Sequence, residues 1–317
     1  MSLYGILGLC LGGFALLLLV AAFFCAGLSC VRMKNPDFDN PEELAKSRFH
    51  NYVEYISEAR AWLREHPYEM VYSTSFDGLR LAGRYIPCKE NRGTILLFHG
   101  WRSAPYVDFG RALELYYSQG MNILLVDQRA HGDSQGRYIT YGIKEQRDVH
   151  SWIAWHNARF GADVPLVLSG LSMGAATVMM AWGSPMPENV RCAIADCGFT
   201  SPYEIIGKVV KDMHLPRWLL MPVIGLGTRI FAGFRLKAYS TITAAQKMQR
   251  PIFFVHGTKD GFVPWEMTKR SYDACAAKDK TLLLVEGADH GLSYVVAPEE
   301  YRREVLALLD RALIPAP

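Results

Sequence analysis

A serine between two glycines is the first feature of this sequence that suits covalent chemistry. Gly170-Leu171-Ser172-Met173-Gly174 separates the run "PLVLS" from the small and apolar residues "AATVMMAW". This pattern is typical of a nucleophile elbow, a tight turn from a strand into a helix that exposes a serine hydroxyl. An ordinary helix N-cap is the alternative role for Ser172, but a cap does not require glycine on both sides. We therefore predict that Ser172 is a nucleophile and that Gly170 and Gly174 form its turn.

A serine hydroxyl becomes nucleophilic when a base takes its proton and a carboxylate orients that base. In elbow enzymes the chain order is the serine, then Asp or Glu, then His. Asp260 lies in the loop after "PIFFVHG", and His290 lies in the loop after "TLLLVEG". Both loops follow predicted strands, at the same edge of the sheet as Ser172. The sequence thus predicts a catalytic triad of Ser172, Asp260 and His290.

Three other acidic residues compete with Asp260 for the role of the orienting carboxylate. Asp196 is the strongest alternative because it also ends a predicted strand. Asp289 adjoins the histidine and points elsewhere on most backbones, and Asp279 precedes a strand and so lies at the opposite edge. The order of the strands favours Asp260.

Acyl transfer also needs two backbone N–H groups that stabilise the oxyanion. The amide of Met173 follows the nucleophile directly, and Trp101 follows the predicted strand "TILLFHG". We predict that these two amides form the oxyanion hole. His99 and His256 also lie at strand ends, and we interpret both as residues that support their loops rather than as bases.

Short apolar runs alternate with helix-like stretches along most of the chain. Asp77-Gly78 separates the first two runs and predicts a hairpin. The later strand–helix repeats predict a mostly parallel sheet with helices on both faces, in which ligands bind at the carboxyl ends of the strands. The predicted strands are "EMVYSTSF", "LRLAGRYI", "GTILLFHG", "MNILLVDQ", "PLVLSG", "RCAIADCG", "PIFFVHG" and "TLLLVEGADH", and the predicted helices are 105–119, 142–160, 173–182, 264–277 and 298–313.

Residues 199–249 form an interval that is too long for a simple crossover between strands. It contains the apolar stretch "WLLMPVIGLGTRIFAGF", which proline, glycine and arginine interrupt. Those interruptions disfavour a second membrane span. We predict that the interval is a helical cap over the site.

The first 31 residues are predicted to be a transmembrane anchor. No charged side chain occurs from position 2 to position 31, and about 20 apolar residues suffice to cross a bilayer. A cleaved signal peptide is the alternative, but it would have basic residues before a shorter apolar run. Arg32 and Lys34 follow the run, and the tendency of such residues to stay inside the cell favours a cytoplasmic catalytic domain.

Residues 32–66 are predicted to link the anchor to a hydrolase domain at 67–317. Asn40 and Pro41 form a helix-start pattern, and Pro67 ends the following stretch. Apolar residues recur in it at helical spacing and predict an amphipathic helix that packs on the domain. They are Leu44, Tyr52, Ile56, Ala59 and Leu63.

Composition argues against several other classes of function. The net charge of +3 with scattered Lys and Arg does not indicate nucleic-acid binding. The sequence contains no phosphate-binding or dinucleotide-binding glycine motif. The spacing of its seven cysteines fits neither a zinc site nor a disulfide framework. We expect no metal and no cofactor.

Five motifs together resemble the α/β-hydrolase superfamily, in particular its serine-aminopeptidase-like, lysophospholipase-like and Bem46-like group. In chain order they are "LLFHGW", "DQRAHGDSQG", "GLSMG", "HGTKDGFVP" and "GADHG". The resemblance covers roughly residues 67–315. It implies an eight-stranded sheet, a triad at Ser172, Asp260 and His290, and backbone oxyanion donors at Trp101 and Met173.

The function expected from these features is that of a membrane-anchored serine hydrolase that cleaves carboxylic esters through an acyl-enzyme. The anchor and the apolar cap favour acyl lipids or lysolipids among the esters. A serine peptidase or aminopeptidase, an acyltransferase and a non-catalytic membrane-tethered binding protein are the alternatives. The expected partners are an ester substrate and a membrane, and the sequence does not predict an oligomeric state.

Overall fold

Eight strands form a single sheet in the computed structural model, which describes residues 2–47 and 49–313. The strand order is β1-β2-β4-β3-β5-β6-β7-β8. The strands are β1 (Glu69–Thr74), β2 (Arg80–Ile86), β3 (Gly93–Phe98), β4 (Met121–Asp127), β5 (Leu166–Leu171), β6 (Val190–Asp196), β7 (Ile252–Gly257) and β8 (Lys280–Val285).

The sheet is mostly parallel. Strand β2 is antiparallel to both of its neighbours, and the pairs from β4 to β8 are parallel. The predicted hairpin at Asp77-Gly78 is confirmed, with Thr74 opposite Arg80. Gly78 has a φ of +85°, a conformation that glycine adopts without a steric penalty.

Helices cover both faces of the sheet. They are α1 (Leu3–Cys30), α2 (Pro41–Ala45), α3 (Val53–Glu65), α4 (Pro105–Phe109), α5 (Ala112–Ser118), α6 (Glu145–Phe160), α7 (Met173–Ala181), α8 (Pro202–Asp212), α9 (Arg217–Gly227), α10 (Thr241–Ala245), α11 (Trp265–Ala274), α12 (Ser293–Val296) and α13 (Pro298–Leu313). A 3-10 turn at His50–Tyr52 and a π-helical segment at Thr228–Ala232 complete the helical elements of the described residues.

The central strands bury both of their faces, so their side chains alternate between two apolar layers. On β3, Ile95 and Leu97 pack with the layer that includes α3, α4, α5 and α13. Leu96 and Phe98 pack with the layer that includes α6 and α7. This two-sided burial explains the nearly continuous apolar runs that predicted the strands. The predicted α/β-hydrolase fold is confirmed.

Two predicted helical stretches are interrupted. The stretch 105–119 is divided at Gly110, where a Cβ atom would lie 2.5 Å from the Cβ of Ala59 on α3. The stretch after Asn40 begins as predicted, because the Asn40 side chain accepts bonds from the amides of Glu42 and Glu43. It then breaks between α2 and α3. Helix α3 packs on the domain, since Ala59 and its neighbours on the same face are buried.

Helix α1 is long and apolar enough to cross a membrane, with a candidate span at Cys10–Cys30. A signal sequence near the N-terminus can satisfy the same criteria of length and hydropathy. Most of its described side chains are exposed, whereas Ala22, Ala26 and Cys30 are buried on a single face. Helix α9 lies against that face, because a Cβ atom on Gly227 would come within 2.1 Å of the carbonyl oxygen of Ala22.

Candidate active site

Ser172 occupies a strained backbone conformation at the turn from β5 into α7. Its φ is 56° and its ψ is −115°, values that residues with side chains rarely adopt. The flanking glycines are required by close backbone contacts. A Cβ atom on Gly170 would lie 2.2 Å from the oxygen of Gly174, and one on Gly174 would lie 1.7 Å from the oxygen of Phe98. This geometry is that of a nucleophile elbow.

The structure brings Ser172, His290 and Asp260 into one hydrogen-bonded chain. The Nε2 atom of His290 lies 2.9 Å from the Oγ atom of Ser172, and its Nδ1 atom lies 2.7 Å from Oδ2 of Asp260. An ionised carboxylate can only accept, so Nδ1 carries the proton and Nε2 is free to accept the serine proton. This tautomer is the one that a general base for Ser172 requires.

Asp260 is held as an anion by several donors. Its Oδ1 atom accepts bonds from the amides of Phe262 and Val263 at 2.8 and 2.7 Å. Burial alone would raise the pKa of Asp260, but the hydrogen bonds from His256 and His290 outweigh it and hold the pKa well below its usual range. The charge needed to orient and stabilise a protonated His290 is therefore present at neutral pH.

His256 supports the carboxylate of Asp260 on the side away from Ser172, in the supporting role expected from its place at a strand end. The His256 side chain is fully buried, and its Nε2 atom lies 2.9 Å from Oδ2 of Asp260 and 2.9 Å from the oxygen of Val263. Both are acceptors, so Nε2 donates. The Nδ1 atom of His256 contacts the hydroxyl of Thr268 at 2.7 Å. Oδ2 of Asp260 thus has two imidazole partners, of which only His290 reaches the serine.

The three competing acids are engaged elsewhere. Burial raises the pKa of Asp196 to about 6, and its side chain accepts a bond from Ser293 at 3.4 Å. Asp289 accepts bonds from the backbone amides of Gly261 and His290. Asp279 forms an ion pair with Arg311. The carboxylate in contact with the imidazole of His290 is that of Asp260.

The loop after β3 leaves the amide of Trp101 free beside the serine. The amide of Gly100 donates to Oδ2 of Asp108 at 2.5 Å, and the amide of Arg102 donates to Nε2 of His131 at 2.9 Å. Neither Trp101 nor Met173 has an acceptor for its amide in the described part of the chain. A Cβ atom on Gly100 would lie 3.3 Å from Cβ of Ser172, so this loop lies against the serine. Two unpaired N–H groups suit an oxyanion hole.

Asp108 is a site residue that sequence reasoning missed. It is half-buried, and desolvation raises the pKa of its carboxyl group. Besides the amide of Gly100, the carboxyl group contacts the hydroxyl of Ser103 at 2.5 Å. These bonds fix the backbone that presents Trp101. Nothing in "PYVDFG" distinguishes this aspartate from an exposed helical residue, so only the tertiary structure shows its position.

His99 belongs to the framework of the same loop, in agreement with its interpretation from the sequence. Its Nδ1 atom lies 2.8 Å from the oxygen of Gly100, and its Nε2 atom lies 3.2 Å from the amide nitrogen of Gln128. Burial lowers the pKa of His99, so the ring is neutral at neutral pH. The ring donates through Nδ1 and accepts through Nε2, which ties the loop after β3 to the end of β4.

A cavity of about 280 Å³ opens onto Ser172 and His290. One wall consists of Phe49, Tyr52 and Tyr55, which come from the segment between the N-terminal helix and β1. Among the residues that the structure describes, none from 199–249 lines this cavity. The expectation that this insertion forms a cap over the site stays a prediction. Helix α9 of this insertion packs on α1, and side chains of the insertion share an apolar cluster with Met173 and Trp101. Aromatic side chains of the preceding linker line the cavity beside the serine.

The end of α1 is attached to the loop after β3. The indole of Trp101 donates to the carbonyl oxygen of Ser29 at 3.1 Å, and the guanidinium of Arg102 donates to those of Leu28 and Val31 at 2.9 and 3.0 Å. The last carbonyls of a helix have no partners within the helix. Side chains at the candidate site supply those partners, so the N-terminal helix and the loop after β3 are directly bonded.

One group of side chains has the spacing of metal ligands. Potential ligand atoms of Cys197, Asp260 and His290 lie within 4.8 Å of one another. Burial raises the pKa of the Cys197 thiol well above its usual range, which opposes the thiolate form that binds metals. Both nitrogens of His290 already have partners. This arrangement suits a proton relay better than a metal.

We expect Gly174→Ala to destabilise the protein by about 3 kcal/mol or more, because the added methyl group overlaps the carbonyl of Phe98. Chemical denaturation followed by circular dichroism measures the change. Gly261→Ala is the control, since the nearest atom to its added Cβ is Oδ1 of Asp289 at 3.9 Å. We expect the control to change stability by less than about 0.5 kcal/mol. Equal stability of the two variants would contradict this account of the turn.

Comparison with known proteins places the chain in a family. Residues 108–314 match the model of the prolyl oligopeptidase family. The Bacillus subtilis protein YqkD, whose function is uncharacterised, is 26% identical over 234 residues, which cover 74% of this chain and 76% of YqkD. The protein Bem46 of Schizosaccharomyces pombe is 24% identical over 197 residues, which cover 60% of this chain and 59% of Bem46.

Solved structures agree with the fold. An esterase from Pyrococcus furiosus superimposes with a TM-score of 0.65 at 25% identity, over 78% of this chain and 92% of the esterase. The predicted resemblance to the α/β-hydrolase superfamily is confirmed. The chain is a hydrolase of that superfamily, and it belongs to the prolyl oligopeptidase family.

Proposed function

We propose that this chain is a membrane-anchored serine hydrolase that cleaves carboxylic esters, with Ser172 as nucleophile, His290 as base and Asp260 as the orienting acid. The observation that carries the proposal is the continuous hydrogen-bonded chain from Ser172 through His290 to Asp260. Ser172 and His290 line a cavity that is large enough for a small acyl group. The proposed anchor is α1, with Arg32 and Lys34 favouring a cytoplasmic catalytic domain.

In the first half of the reaction, the Oγ atom of Ser172 forms a bond to the acyl carbon while His290 takes the serine proton at Nε2. The ester C–O bond then breaks, and His290 gives that proton to the leaving alkoxide, which departs as the alcohol. In the second half, water attacks the acyl-serine with His290 again as base. The serine is regenerated and the carboxylic acid leaves.

Electrostatic stabilisation comes from two proposed sources. The anionic Asp260 stabilises the positive charge that develops on His290, and it keeps the required tautomer. The amides of Trp101 and Met173 stabilise the oxyanion, because neither is occupied by another acceptor in the described residues. The loss of one such donor typically costs about 3–4 kcal/mol of transition-state stabilisation.

Peptide cleavage is the second candidate, since the family that the chain matches is named for an oligopeptidase. The chemistry of Ser172, His290 and Asp260 serves both reactions, because an amide and an ester both present an acyl carbon to the serine. They differ in the leaving group. The esterase name of the Pyrococcus furiosus relative and the small aromatic cavity favour ester substrates. Transfer of the acyl group to an added alcohol or thiol instead of water would identify an acyltransferase.

Ser172→Ala should abolish covalent labelling of the protein by a fluorophosphonate probe, because the probe reacts with an activated serine hydroxyl. Gel fluorescence of the purified full chain measures the label. Ser169→Ala is the matched control, since Ser169 lies three residues earlier in β5 and is also buried. We expect this control to label normally. Equal labelling of wild type and Ser172→Ala would rule out Ser172 as the nucleophile, and an unlabelled wild type would favour the binding-protein alternative.

Asp260→Asn should lower kcat for a short ester by about 10⁴-fold, because an amide at this position stabilises the wrong tautomer of His290. Steady-state hydrolysis of p-nitrophenyl butyrate measures it. Asp279→Asn removes a carboxylate that pairs with Arg311 away from the site, and we expect a change of less than about twofold. A comparable loss in Asp196→Asn, with Asp260→Asn still active, would assign the orienting acid to Asp196 instead.

The two leading substrate classes can be separated with matched chromogenic compounds. We expect p-nitrophenyl esters to be hydrolysed with a kcat/KM at least about 100-fold above that of the corresponding aminoacyl p-nitroanilides, a difference of about 2.7 kcal/mol. Ser172→Ala supplies the background rate for each compound. Comparable kcat/KM values for the two compounds would identify the chain as a peptidase.

A further inference from the structure

The insertion at 199–249 has an apolar surface that the described part of the chain does not cover. Helix α9 buries Met221, Ile224 and Gly227 on its inner face. Its outer face carries Trp218, Leu219 and Leu226, and this face continues into neighbouring segments. We call this surface the apolar cap face; its members are Met213, Leu215, Trp218, Leu219, Leu226 and Ile230, all exposed.

The outer face of α9 is unusual for a helix that contacts water. The sequence of α9 is RWLLMPVIGLG, in which Arg217 is the one charged residue. A helix that is apolar on all sides is expected in a protein core or in a membrane, whereas a surface helix has a polar outer face. Trp218 is 80% exposed and Met213 is 62% exposed. Contiguous apolar surface of this kind marks a binding surface.

The contact between α9 and α1 indicates what covers this surface. Gly227 packs against Ala22, and the ring of Phe231 lies 5.2 Å from that of Phe23 in an edge-to-face arrangement. Ala22 precedes the end of α1 at Cys30 by eight residues, or about 12 Å along the helix axis. A bilayer that surrounds α1 to this depth also reaches α9. Interfacial helices insert their apolar faces by about 5–10 Å.

The charge distribution favours an anionic lipid surface in particular. Residues 199–249 contain seven Lys and Arg but two Asp and Glu, a net charge of +5 in a chain whose total is +3. The rest of the chain is therefore net negative. Exposed basic residues border or interrupt the apolar cap face, among them Lys211, Arg217 and Arg229. Basic residues beside apolar ones, with a tryptophan between them, are typical of segments at the surface of anionic membranes.

We propose that the apolar cap face inserts into the anionic leaflet of the bilayer that holds α1. This inference rests on the proposed membrane anchoring, and it adds a second point of insertion. The loop after β3, which presents the proposed oxyanion donor Trp101, is bonded to the end of α1 through Trp101 and Arg102. With α1 and α9 both in the membrane, the entrance to the catalytic cavity is held close to the lipid headgroups. The substrates that this position favours are esters that reside in the bilayer.

This proposal is tested by measuring how deeply single fluorophore-labelled cysteines lie in the bilayer of a vesicle. The measurement does not depend on enzymatic activity. The full chain is reconstituted into vesicles of phosphatidylcholine and phosphatidylglycerol, with Cys10 and Cys25 replaced by serine because the other five cysteines are buried. Three variants then receive an environment-sensitive fluorophore: Trp218→Cys on the apolar cap face, Leu17→Cys on α1 and Lys278→Cys before β8. Matching circular dichroism spectra establish that the variants are folded.

We expect lipids with a doxyl quencher to reduce the fluorescence at positions 218 and 17 at least about threefold more than at position 278. Leu226→Cys provides a second site on the same face and should behave like position 218. Quenching at 17 with none at 218 and 226 would overturn the inference and leave the anchor intact. Absence of quenching at all sites would overturn the anchor as well.

A second protein copy is the remaining possible cover for the apolar cap face. It would shield position 218 from aqueous iodide while leaving the fluorophore unquenched by doxyl lipids. That combination would overturn the proposed membrane insertion and identify a protein interface in its place.

Discussion

The close approach of α7 to the end of β3 is the constraint on which the candidate site depends. The backbone at Gly174 lies so near the oxygen of Phe98 that no side chain fits between them. This contact sets the first turn of α7 directly above the sheet, and it forces Ser172 into its strained conformation. The serine hydroxyl and the amide of Met173 are thereby presented together. Every other part of the site is arranged around this fixed point.

Four distant parts of the chain meet at that point, and each contributes a different physical property. The loop after β7 contributes the charge of Asp260, and the loop after β8 contributes the imidazole of His290. The loop after β3 contributes an amide, and the carboxyl group of Asp108 fixes that loop. The segment before β1 contributes aromatic surface around the cavity. A parallel sheet makes this convergence possible because the carboxyl ends of its strands share one edge.

Sequence patterns were sufficient for the features that depend on local chemistry. Apolar runs marked the strands, Asp77-Gly78 marked the hairpin, and glycines marked the turn at Ser172, which the structure brings against His290 and Asp260. Features that depend on packing between distant segments were not predictable. Asp108, the break at Gly110 and the aromatic wall from the linker have no local signal. The contact of 199–249 with α1 was not predicted for the same reason, since it follows from three-dimensional shape alone.

The bonds from Trp101 and Arg102 to the end of α1 have a practical consequence for the handling of this protein. N-terminal hydrophobic helices are commonly deleted to obtain soluble material. Here a deletion up to residue 30 would remove the carbonyls of Leu28 and Ser29, which the indole, the guanidinium and the hydroxyl of Tyr141 bind. Those donors would form hydrogen bonds with water instead, and the loop that presents the Trp101 amide would lose its bonds to α1. In a shortened chain the loop after β3 would therefore be less firmly held. The kcat and kcat/KM measured on such a chain would be lower than those of the full chain.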